Sequence, residues 1–558
     1  MSVASAAATA ADGVGRTADR LLERPRVVVG TLAGVQVVAT LVFALDVQHN
    51  GWVWFQGGDQ IWLATQGWLL GQLELPPTEL GYVWSLLLMP IMWVTGPTYV
   101  EALPPLILFQ VLVLGPIALL CVYDLACRIG GRLLGYWASL LWVVAPFATI
   151  PLFVDRYQER FGEQFLPQAL GLTAMSDYPS MVVVLASAVF VVRSIDGARL
   201  TDAVLAGLLL GAAGAMKPPN LLLGVGAGLA YLVARRWREG VAFGAAIVPS
   251  LLLLAYWKDK GLGGIPVLSL EETRLAASSS LTALSVDLDR YLELDLDHWL
   301  QQMDSLREFF LAPRVAQWAP LAGLVAVLRV RRGAVAALLS GWLAAFLVVK
   351  GFSPRATIES GSFWRLLMPA WPAYLLLLAS IPLLVPTLAR RLGDRMRAPA
   401  SRVVSQRWIA AAAAASLLVP ATVIAASSPL EGPGLALTQD DAGNFILTSV
   451  DEGVALRSER TAEGMRLSWD DEARRANVFY RVYRAEGDDV ECENTDGHPA
   501  QSCYFRGLAV GVTRERAFVD KGAPPGATYR IGVGTNWVDD PAFGDVFAFS
   551  PPAAAPSG

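Results

Sequence analysis

The apolar residues of this chain lie in long blocks, and short arginine-rich stretches separate the blocks. A helix that crosses a membrane needs about 20 mostly apolar residues, so each block is a candidate span. The blocks predict a polytopic α-helical membrane protein with about 11 transmembrane helices. The helices are expected at Val27–Leu45, Leu106–Tyr123, Leu134–Phe153, Tyr178–Val192, Thr201–Ala215, Leu221–Val233, Val241–Trp257, Val315–Leu328, Ala334–Val349, Phe363–Leu388 and Trp408–Ala426.

One further apolar segment, Tyr82–Gly96, is about 15 residues long and is shorter than an ordinary span. Counting it as a span would reverse the orientation of every later loop. We therefore expect it to lie in the outer membrane interface, and a full crossing is the alternative.

The arginines predict the orientation, because short cytoplasmic loops carry an excess of Lys and Arg. Arg24 and Arg26 precede the first span, and every second loop after that span is basic. The N-terminus is therefore expected in the cytoplasm. An odd number of spans places the chain after about residue 427 on the extracytoplasmic face.

The composition agrees with a lipid environment. Hydrophobic residues make up 54% of the 558 residues and charged residues only 17%, against about 25% charged residues in soluble proteins. The net charge of -5 gives no indication of a nucleic-acid partner. High use of Ala, Gly and Arg suggests a GC-rich bacterial genome, so the expected location is the bacterial plasma membrane.

The sequence changes character after Ser428. The runs Met465–Trp469, Val478–Arg484, Ala517–Asp520 and Thr528–Val533 alternate apolar and polar residues, as half-buried strands do. Several short strands of this kind predict an all-β sandwich. The expected organisation is a cytoplasmic tail at 1–26, a transmembrane domain at 27–427 with outer loops at 46–105, 154–177 and 258–314, a linker at 428–443, a β-sandwich at 444–551 and a tail at 552–558.

The first outer loop contains a candidate general base. Asp59 stands between glycines and aromatic residues in the segment GGDQIW. A carboxylate at the membrane surface is partly desolvated, which makes it a stronger base. The alternative is an ordinary helix N-cap, for which Asp is a favoured residue. Glu74 and Glu79 follow in the same loop and are candidates for contact with an acceptor.

The second outer loop contains further acids. Asp177 lies at the mouth of the fourth span, where an acid is costly and usually faces a cavity or a partner. It is a second catalytic candidate, and an N-cap is again the alternative. Asp155 is the weaker candidate because Arg156 beside it offers an ordinary surface ion pair. Both are retained as loop residues that an acceptor could contact.

Three cations are expected on the same outer side, namely Lys217, Arg355 and Arg365. Cations in this position can bind a phosphate head group. For any one of them the alternative is that its long side chain only extends to the membrane interface. Their occurrence on one side favours a phosphate site.

In chain order these features resemble the GT-C superfamily of polyprenyl-phosphate-dependent glycosyltransferases. The resemblance covers about Arg26–Arg390. It depends on the order of these residues relative to the predicted spans more than on any single sequence motif. The matching positions are Asp59 in GGDQIW, the interfacial segments Leu75-Pro76-Pro77 and Tyr82–Gly96, Asp177 in SDYP, Lys217 in MKPPN and Arg365 in FWRLLMPAWP.

The resemblance implies an enzyme that moves a sugar from a polyprenyl-phosphate donor to a glycan, lipid or protein acceptor on the outer face. Asp59 and Asp177 would be catalytic, and the cations would bind the donor phosphate. Many members carry two neighbouring acids in the first loop, but Gln60 follows Asp59 here. A divalent metal is therefore possible but has no acidic pair to support it.

The C-terminal region resembles a fibronectin type III domain. Leu467-Ser468-Trp469, Tyr480–Arg484 and Pro525–Tyr529 match the second strand, the third strand and the turn before the sixth strand. The family binds partners or acts as a spacer. A Cys492–Cys503 disulfide would stabilise the hairpin between the third and fifth strands in an oxidising exterior, and two free thiols are the alternative.

Two other functions compete with a glycosyltransferase. A transporter or flippase of lipid-linked sugars would be expected to show internal repeats and broken helices, and no repeat is evident. A non-catalytic scaffold that presents the β-domain would leave the outer acids and cations unexplained.

Overall fold

The computed structural model describes most of the helical region and much of the C-terminal region. The described residues are 23–46, 59–75, 80–95, 99–152, 162–262, 294–309, 311, 314–353, 365, 367–386, 406–429, 435–439, 445–450, 453–471, 478–486, 490–492, 503–505, 508–535, 546–551 and 553–554.

The first part of the chain is a set of packed α-helices. They are α1 (Pro25–Asp46), α2 (Asp59–Gly71), α3 (Tyr82–Thr95), α4 (Tyr99–Phe109), α5 (Gly115–Gly130), α6 (Arg132–Leu152), α7 (Gly162–Ala169), α8 (Asp177–Gly197), α9 (Leu200–Met216), α10 (Leu223–Ala234), α11 (Trp237–Leu262), α12 (Leu296–Phe309), α13 (Arg314–Arg329), α14 (Gly333–Gly351), α15 (Trp371–Ser380) and α16 (Gln406–Ala426). A π-helical turn, Gln110–Leu114, joins α4 to α5.

Five apolar helices in the described part of the chain are long enough to cross a membrane, so the chain is an integral membrane protein. They lie at Pro25–Leu45, Ala102–Gly130, Asp177–Gly197, Trp237–Gly261 and Gly333–Gly351. Each of the other predicted spans overlaps a helix that does not meet the same length and apolarity over its described residues, so the number of crossings stays a prediction.

The tenth predicted span differs most from its expected form. The sequence predicted one helix over Phe363–Leu388, whereas α15 has 10 residues and lies between two 3-10 turns, Met368–Ala370 and Ile381–Leu384. Pro369 and Pro382 explain the interruption, because proline has no backbone N–H to donate to an α-helix.

Close helix contacts in the bundle require glycine. A Cβ atom added to Gly207 of α9 would lie 2.2 Å from the carbonyl oxygen of Phe243 in α11. A Cβ atom on Gly226 of α10 would lie 2.5 Å from the carbonyl oxygen of Leu338 in α14. Small residues of this kind let helix backbones approach each other in membrane proteins.

One end of the bundle is held by an ion-pair network. Arg128 at the end of α5 pairs with Asp124 at 2.6 Å and with Asp196 of α8 at 3.4 Å. Arg332, just before α14, pairs with the same Asp196 at 2.9 Å. Because α8 rises about 1.5 Å per residue, Asp177 at its start lies about 28 Å from this network.

The C-terminal strands form two main sheets. They are β3 (Leu435–Gln439), β4 (Phe445–Val450), β5 (Val454–Thr461), β6 (Gly464–Asp471), β7 (Val478–Glu486), β8 (Val490–Cys492), β9 (Cys503–Phe505), β10 (Leu508–Thr513), β11 (Ala517–Asp520), β12 (Ala527–Thr535), β13 (Val546–Phe549) and β14 (Ala553–Ala554). One sheet has the order β11-β6-β5, and the other has the order β10-β7-β12-β13-β4-β3 with β14 beside β12.

The buried faces of the two sheets pack against each other, which confirms a C-terminal β-sheet region. Met465, Leu467 and Trp469 alternate with more exposed residues along β6. Trp469 meets Tyr480 of β7 edge to face, with ring centroids 5.2 Å apart.

Asp520 at the end of β11 links the two sheets. Its carboxylate accepts hydrogen bonds from Tyr529 of β12 and Arg484 of β7, each at 2.8 Å. Burial acts to raise the pKa of this carboxyl, but these two hydrogen bonds, a third from the amide N–H of Gly522 and the charge of Arg484 together outweigh burial and lower the pKa below its ordinary value.

A small parallel pair of strands connects the helical and β regions. The strand β1 (Glu74–Leu75), which follows α2, pairs with β2 (Ser428–Pro429), which follows α16. Nearby, Lys260 of α11 donates hydrogen bonds to the carbonyl oxygens of Ile424 and Ala425 at 2.8 and 2.9 Å. The chain that leaves α16 is therefore fixed beside the segment that follows α2.

Candidate functional site

Asp177 is the centre of a buried charge cluster. Its side chain is 1% exposed, and its carboxylate accepts a hydrogen bond from the ammonium group of Lys217. Its second oxygen forms an ion pair with the guanidinium of Arg365 at 3.5 Å. The N-cap interpretation is wrong for Asp177, because Ser176 is the cap position and the Asp177 carboxylate faces the two cations.

The chain between α9 and α10 holds Lys217 in place. Lys217 has an extended backbone, and Pro218 and Pro219 after it begin a 3-10 turn. Proline cannot continue α9 and disfavours helical geometry in the residue before it, so α9 ends at Met216. Asn220 closes the turn, because its side-chain amide donates to the carbonyl oxygen of Ala213 at 2.9 Å.

Arg365 reaches the cluster from the start of the tenth predicted span. Its side chain is 22% exposed, and its guanidinium also contacts the sulfur of Met175 at 3.8 Å. Met175 lies in the segment that leads into α8. The arginine therefore contacts both the Asp177 carboxylate and a side chain of the segment that leads to Asp177.

Three side chains, from α2, α3 and the π-helical turn, hold that leading segment. The amide N–H of Ala174 donates to the side-chain oxygen of Gln60 at 2.7 Å, and Trp84 donates to the carbonyl oxygen of Ala174 at 2.9 Å. Gln110 donates to the carbonyl oxygen of Thr173 at 2.7 Å. All three side chains are buried, so α2, α3 and the π-helical turn together fix the approach to α8.

Asp59 is the first residue of α2 and directly precedes Gln60. Gln60 is fully buried against the Asp177 segment, so the backbone of Asp59 lies next to the part of the chain that leads to the cluster. The position of the Asp59 side chain lies outside what the structure describes. Its role as a general base stays a prediction.

The segment just before α3 also packs beside Lys217. A Cβ atom on Gly81 would lie 1.9 Å from the carbonyl oxygen of Ala215, the second-last residue of α9. Trp257 of α11 donates to the carbonyl oxygen of Leu80 at 3.0 Å. This segment therefore forms part of the wall around the end of α9.

The other predicted site residues are not brought to this cluster by any described contact. Glu74 lies in β1, where burial raises the pKa of its carboxyl. Glu79, Asp155, Arg156 and Arg355 lie outside the described residues. Within the described ranges, no group of three His, Cys, Asp or Glu side chains could hold a metal ion.

Cys492 and Cys503 occupy directly opposed positions in the antiparallel hairpin of β8 and β9. Opposed positions of an antiparallel pair have Cβ atoms about 4.5–5.5 Å apart. The backbone pairing therefore brings the two positions together, and the disulfide between them stays a prediction.

Lys350 is a residue that the sequence analysis missed. It lies one residue before the end of α14 and is 4% exposed. Its ammonium group is near enough to Lys217 for the two charges to repel each other. A lysine near the end of the apolar block that ends in LVVKGF was the available indication.

The cluster is suited to an anion. Lys217 and Arg365 face one carboxylate from two sides, and Lys350 adds a further cation close to Lys217. Arg and Lys in this arrangement bind phosphate through charge-assisted hydrogen bonds. Burial strengthens such contacts because it reduces screening by water.

Comparison with known proteins gives only distant similarities. No protein-family model and no curated protein matches the chain. The oligosaccharyltransferase of Archaeoglobus fulgidus in its apo form is similar in structure, with 13% sequence identity and a TM-score of 0.40 over 73% of this chain and 56% of that chain. The Archaeoglobus fulgidus oligosaccharyltransferase AglB, in complex with an inhibitory peptide and a dolichol-phosphate, gives 12% identity and a TM-score of 0.39 over 72% and 56%.

This chain thus spans 56% of the length of either oligosaccharyltransferase. Similarity of this extent decides neither the family nor the activity of the chain. The function proposed below depends on the side chains of the cluster.

Proposed function

We propose that the chain is a glycosyltransferase that moves a sugar from a polyprenyl-phosphate donor to an acceptor at the membrane surface. The observation that carries this proposal is the convergence of Asp177, Lys217 and Arg365 into one buried cluster. The three residues are far apart in the sequence, and each was selected from the sequence as a residue of the catalytic or phosphate site.

The chemistry requires few protein groups. The acceptor hydroxyl oxygen forms a bond to the anomeric carbon of the sugar, and the bond from that carbon to the phosphate oxygen breaks. The electron pair of the broken bond stays on the phosphate, and the hydroxyl proton passes to a carboxylate base. The leaving polyprenyl phosphate gains one negative charge, which neighbouring cations stabilise.

The residues have separate roles in this proposal. Asp59 is the general base, and Lys217 and Arg365 bind the phosphate of the donor. Asp177 holds the two cations in place, because its buried carboxylate is already engaged by both. Asp177 is therefore better suited to positioning than to proton transfer.

We assign the cluster to the extracytoplasmic face of a bacterial plasma membrane. The arginine-rich network of Arg128, Asp196 and Arg332 lies at the opposite end of α8. Cytoplasmic loops are enriched in arginine, so this end is assigned to the cytoplasm.

We further propose that the β region is a fibronectin type III-like domain. The order β11-β6-β5 in one sheet and β10-β7-β12-β13 in the other supports this assignment. Because β1 and β2 join the regions, the domain is a candidate for positioning a glycan, lipid or protein acceptor.

The test is sugar transfer by the purified full chain in proteoliposomes, with a set of polyprenyl-phosphate sugars as donors. Wild type should transfer sugar to an added acceptor. Asp59→Asn should lose transfer while its abundance and membrane insertion stay unchanged. Transfer at the normal rate by Asp59→Asn would remove Asp59 as the base.

A flippase of lipid-linked sugars remains the second candidate, because the cluster could bind the phosphate of a transported lipid. The same proteoliposomes distinguish the two functions. A flippase moves the intact donor between leaflets and releases no polyprenyl phosphate.

A further inference from the structure

The turn that follows α2 has a strained backbone. Leu73 has a φ of 59°, in the left-handed region. Glycine usually occupies such a position after a helix, because a Cβ atom there lies too close to the backbone. The Leu73 side chain is 48% exposed, so its own packing does not account for the conformation. Strained residues persist where the surrounding structure holds them, and they cluster at functional sites.

The chain that leaves α16 holds the backbone of this turn. The amide N–H of Ser428 donates to the carbonyl oxygen of Leu73 at 2.9 Å. Directly after Leu73, the strand β1 pairs in parallel with β2. We refer to this hydrogen bond and the pairing of the two strands as the β1–β2 contact. It joins the end of α2 to a part of the chain that is remote in sequence.

Other residues make the α16 side of this contact rigid. Leu70 of α2, Leu75 of β1 and Ile424 of α16 are each fully buried in one small apolar core. Lys260 of α11 donates to the carbonyl oxygens of Ile424 and Ala425 in the last turn of α16. The strand β4 also packs against α2. The end of α2 is therefore attached both to the helical bundle and to the C-terminal β region.

The middle of α2 packs closely on α3. A Cβ atom added to Gly67 would lie 2.9 Å from the Cβ atom of Leu88 and 3.1 Å from the carbonyl oxygen of Ser85. The hydroxyl of Ser85 also donates to the side-chain oxygen of Gln66 at 2.8 Å. Helices in such close contact cannot slide freely past each other, so the contact at Gly67 acts as a pivot for α2.

The pivot turns a shift at Leu73 into a shift at Asp59. At 1.5 Å per residue, Asp59 lies about 12 Å along the helix from Gly67, and Leu73 lies about 9 Å from it on the other side. A rigid tilt about Gly67 therefore moves Asp59 about 1.3 times as far as Leu73. The bond between Gln60 and Ala174 holds one end of α2 and the β1–β2 contact holds the other, so loss of the second leaves the direction of the helix less well defined.

We infer that the β1–β2 contact is a positioning element of the reaction and that the left-handed turn at Leu73 sets the direction of α2, the helix that begins with Asp59. The inference rests on the proposed function, in which Asp59 is the general base. Lys217 and Arg365 bind the donor phosphate from other elements in that proposal. Loss of the β1–β2 contact should therefore slow the chemical step and leave donor binding little changed.

Two substitutions at Leu73 separate the turn from side-chain packing. Asn tolerates the left-handed conformation but is polar, whereas Val is apolar but β-branched and strained there. If the turn positions α2, Leu73→Asn should behave as wild type and Leu73→Val should be impaired. If packing of the side chain mattered, the order would be reversed. Ala198→Val is the matched control, because Ala198 has a φ of 49° at the far end of α8.

Two measurements follow these variants in the purified full chain. Amide hydrogen exchange at residues 59–75, measured by mass spectrometry, should be about 3- to 10-fold faster in Leu73→Val, the range expected for loss of about one hydrogen bond. In sugar transfer from a polyprenyl-phosphate donor, Leu73→Val should lower kcat about 10- to 100-fold with little change in the KM of the donor, because a misplacement of about 1 Å costs about 100-fold in rate. Leu73→Asn and Ala198→Val should match wild type in both measurements.

Ser428 supplies a second pair of variants. Ser428→Pro removes the backbone N–H that bonds Leu73, whereas Ser428→Ala keeps it and changes only an exposed side chain. Ser428→Pro should therefore reproduce the exchange and kcat effects of Leu73→Val, and Ser428→Ala should match wild type.

Two outcomes would overturn the inference alone. In the first, Leu73→Asn is impaired as much as Leu73→Val, or neither variant is impaired. In the second, exchange accelerates in Leu73→Val and Ser428→Pro while kcat stays at the wild-type value, which would make the contact purely structural. Absence of sugar transfer by wild type would instead contradict the proposed function, and the exchange data would then show by themselves whether the turn holds α2.

Discussion

The ion pair between Asp177 and Lys217 should be one of the strongest couplings in the chain. Asp177→Asn removes the buried carboxylate that Lys217 and Arg365 both face, and because the two cations are 17% and 22% exposed the cost should be at or below the lower end of the about 3–5 kcal/mol for loss of one partner of a fully buried pair. Lys217→Met costs less, because Arg365 still faces the carboxylate. The double variant should be less destabilised than the sum of the two single variants by about 2–3 kcal/mol.

The chain offers a matched control for this double-mutant cycle, in which the two single variants are compared with the double variant. Asp304 and Arg307 of α12 form an ion pair at 2.7 Å, but their side chains are 70% and 60% exposed. An exposed pair of this kind contributes about 0–1 kcal/mol because water and salt screen it. The same double-mutant cycle with Asp304→Asn and Arg307→Met should therefore show a coupling below about 1 kcal/mol.

The assay is equilibrium unfolding in mixed detergent micelles, followed by tryptophan fluorescence. All variants are compared at one protein concentration and one salt concentration. A coupling between Asp177 and Lys217 that is no larger than the coupling of the control pair would refute the reasoning. The two residues would then not form the buried pair on which the site depends.

Three further predictions concern the frame of the site and the β region. Gln60→Ala should destabilise the chain by about 1–3 kcal/mol in the same unfolding assay, since a buried N–H loses its acceptor, and sugar transfer should fall with it. Gly81→Ala should reduce sugar transfer because its Cβ has no room, whereas Gly228→Ala, with nothing within 4 Å, should transfer sugar normally. The lowered pKa of Asp520 stabilises the folded β region above the ordinary carboxyl pKa of about 4, and this stabilisation should be lost as pH falls through the lower folded pKa. Above about pH 4, proteolysis of the C-terminal region should be slower in wild type than in Asp520→Asn, and this difference should shrink as pH falls through the folded pKa of Asp520; a difference that does not change with pH would contradict this origin.

The positions of the helices were predictable because apolar blocks in a membrane protein have few alternatives to a helix. Their internal breaks were less predictable. The prolines that interrupt the tenth predicted span are visible in the sequence, but proline is also tolerated inside α3, α11 and α13. Packing decides which proline ends a helix.

The candidate site was partly predictable. The order of acids and cations along the chain indicated Asp177, Lys217 and Arg365 as site residues. Only the structure shows that both cations pair with Asp177. Lys350 lies near the end of an apolar block. The hydrophobic pattern of that block predicts a helix but indicates no function for a single lysine. Gln60 was noted only because it is not an acid, and its bond to the Asp177 segment depends on tertiary contacts that sequence spacing does not encode.

The most direct test of the central claim is the fate of the lipid carrier in proteoliposomes that contain the full chain, a polyprenyl-phosphate sugar and an acceptor. The account predicts that wild type releases one polyprenyl phosphate for each sugar transferred, and that Lys217→Met and Arg365→Met lose release and transfer together. Movement of the intact donor between leaflets, with no release of polyprenyl phosphate by wild type, would contradict a glycosyltransferase and favour a flippase.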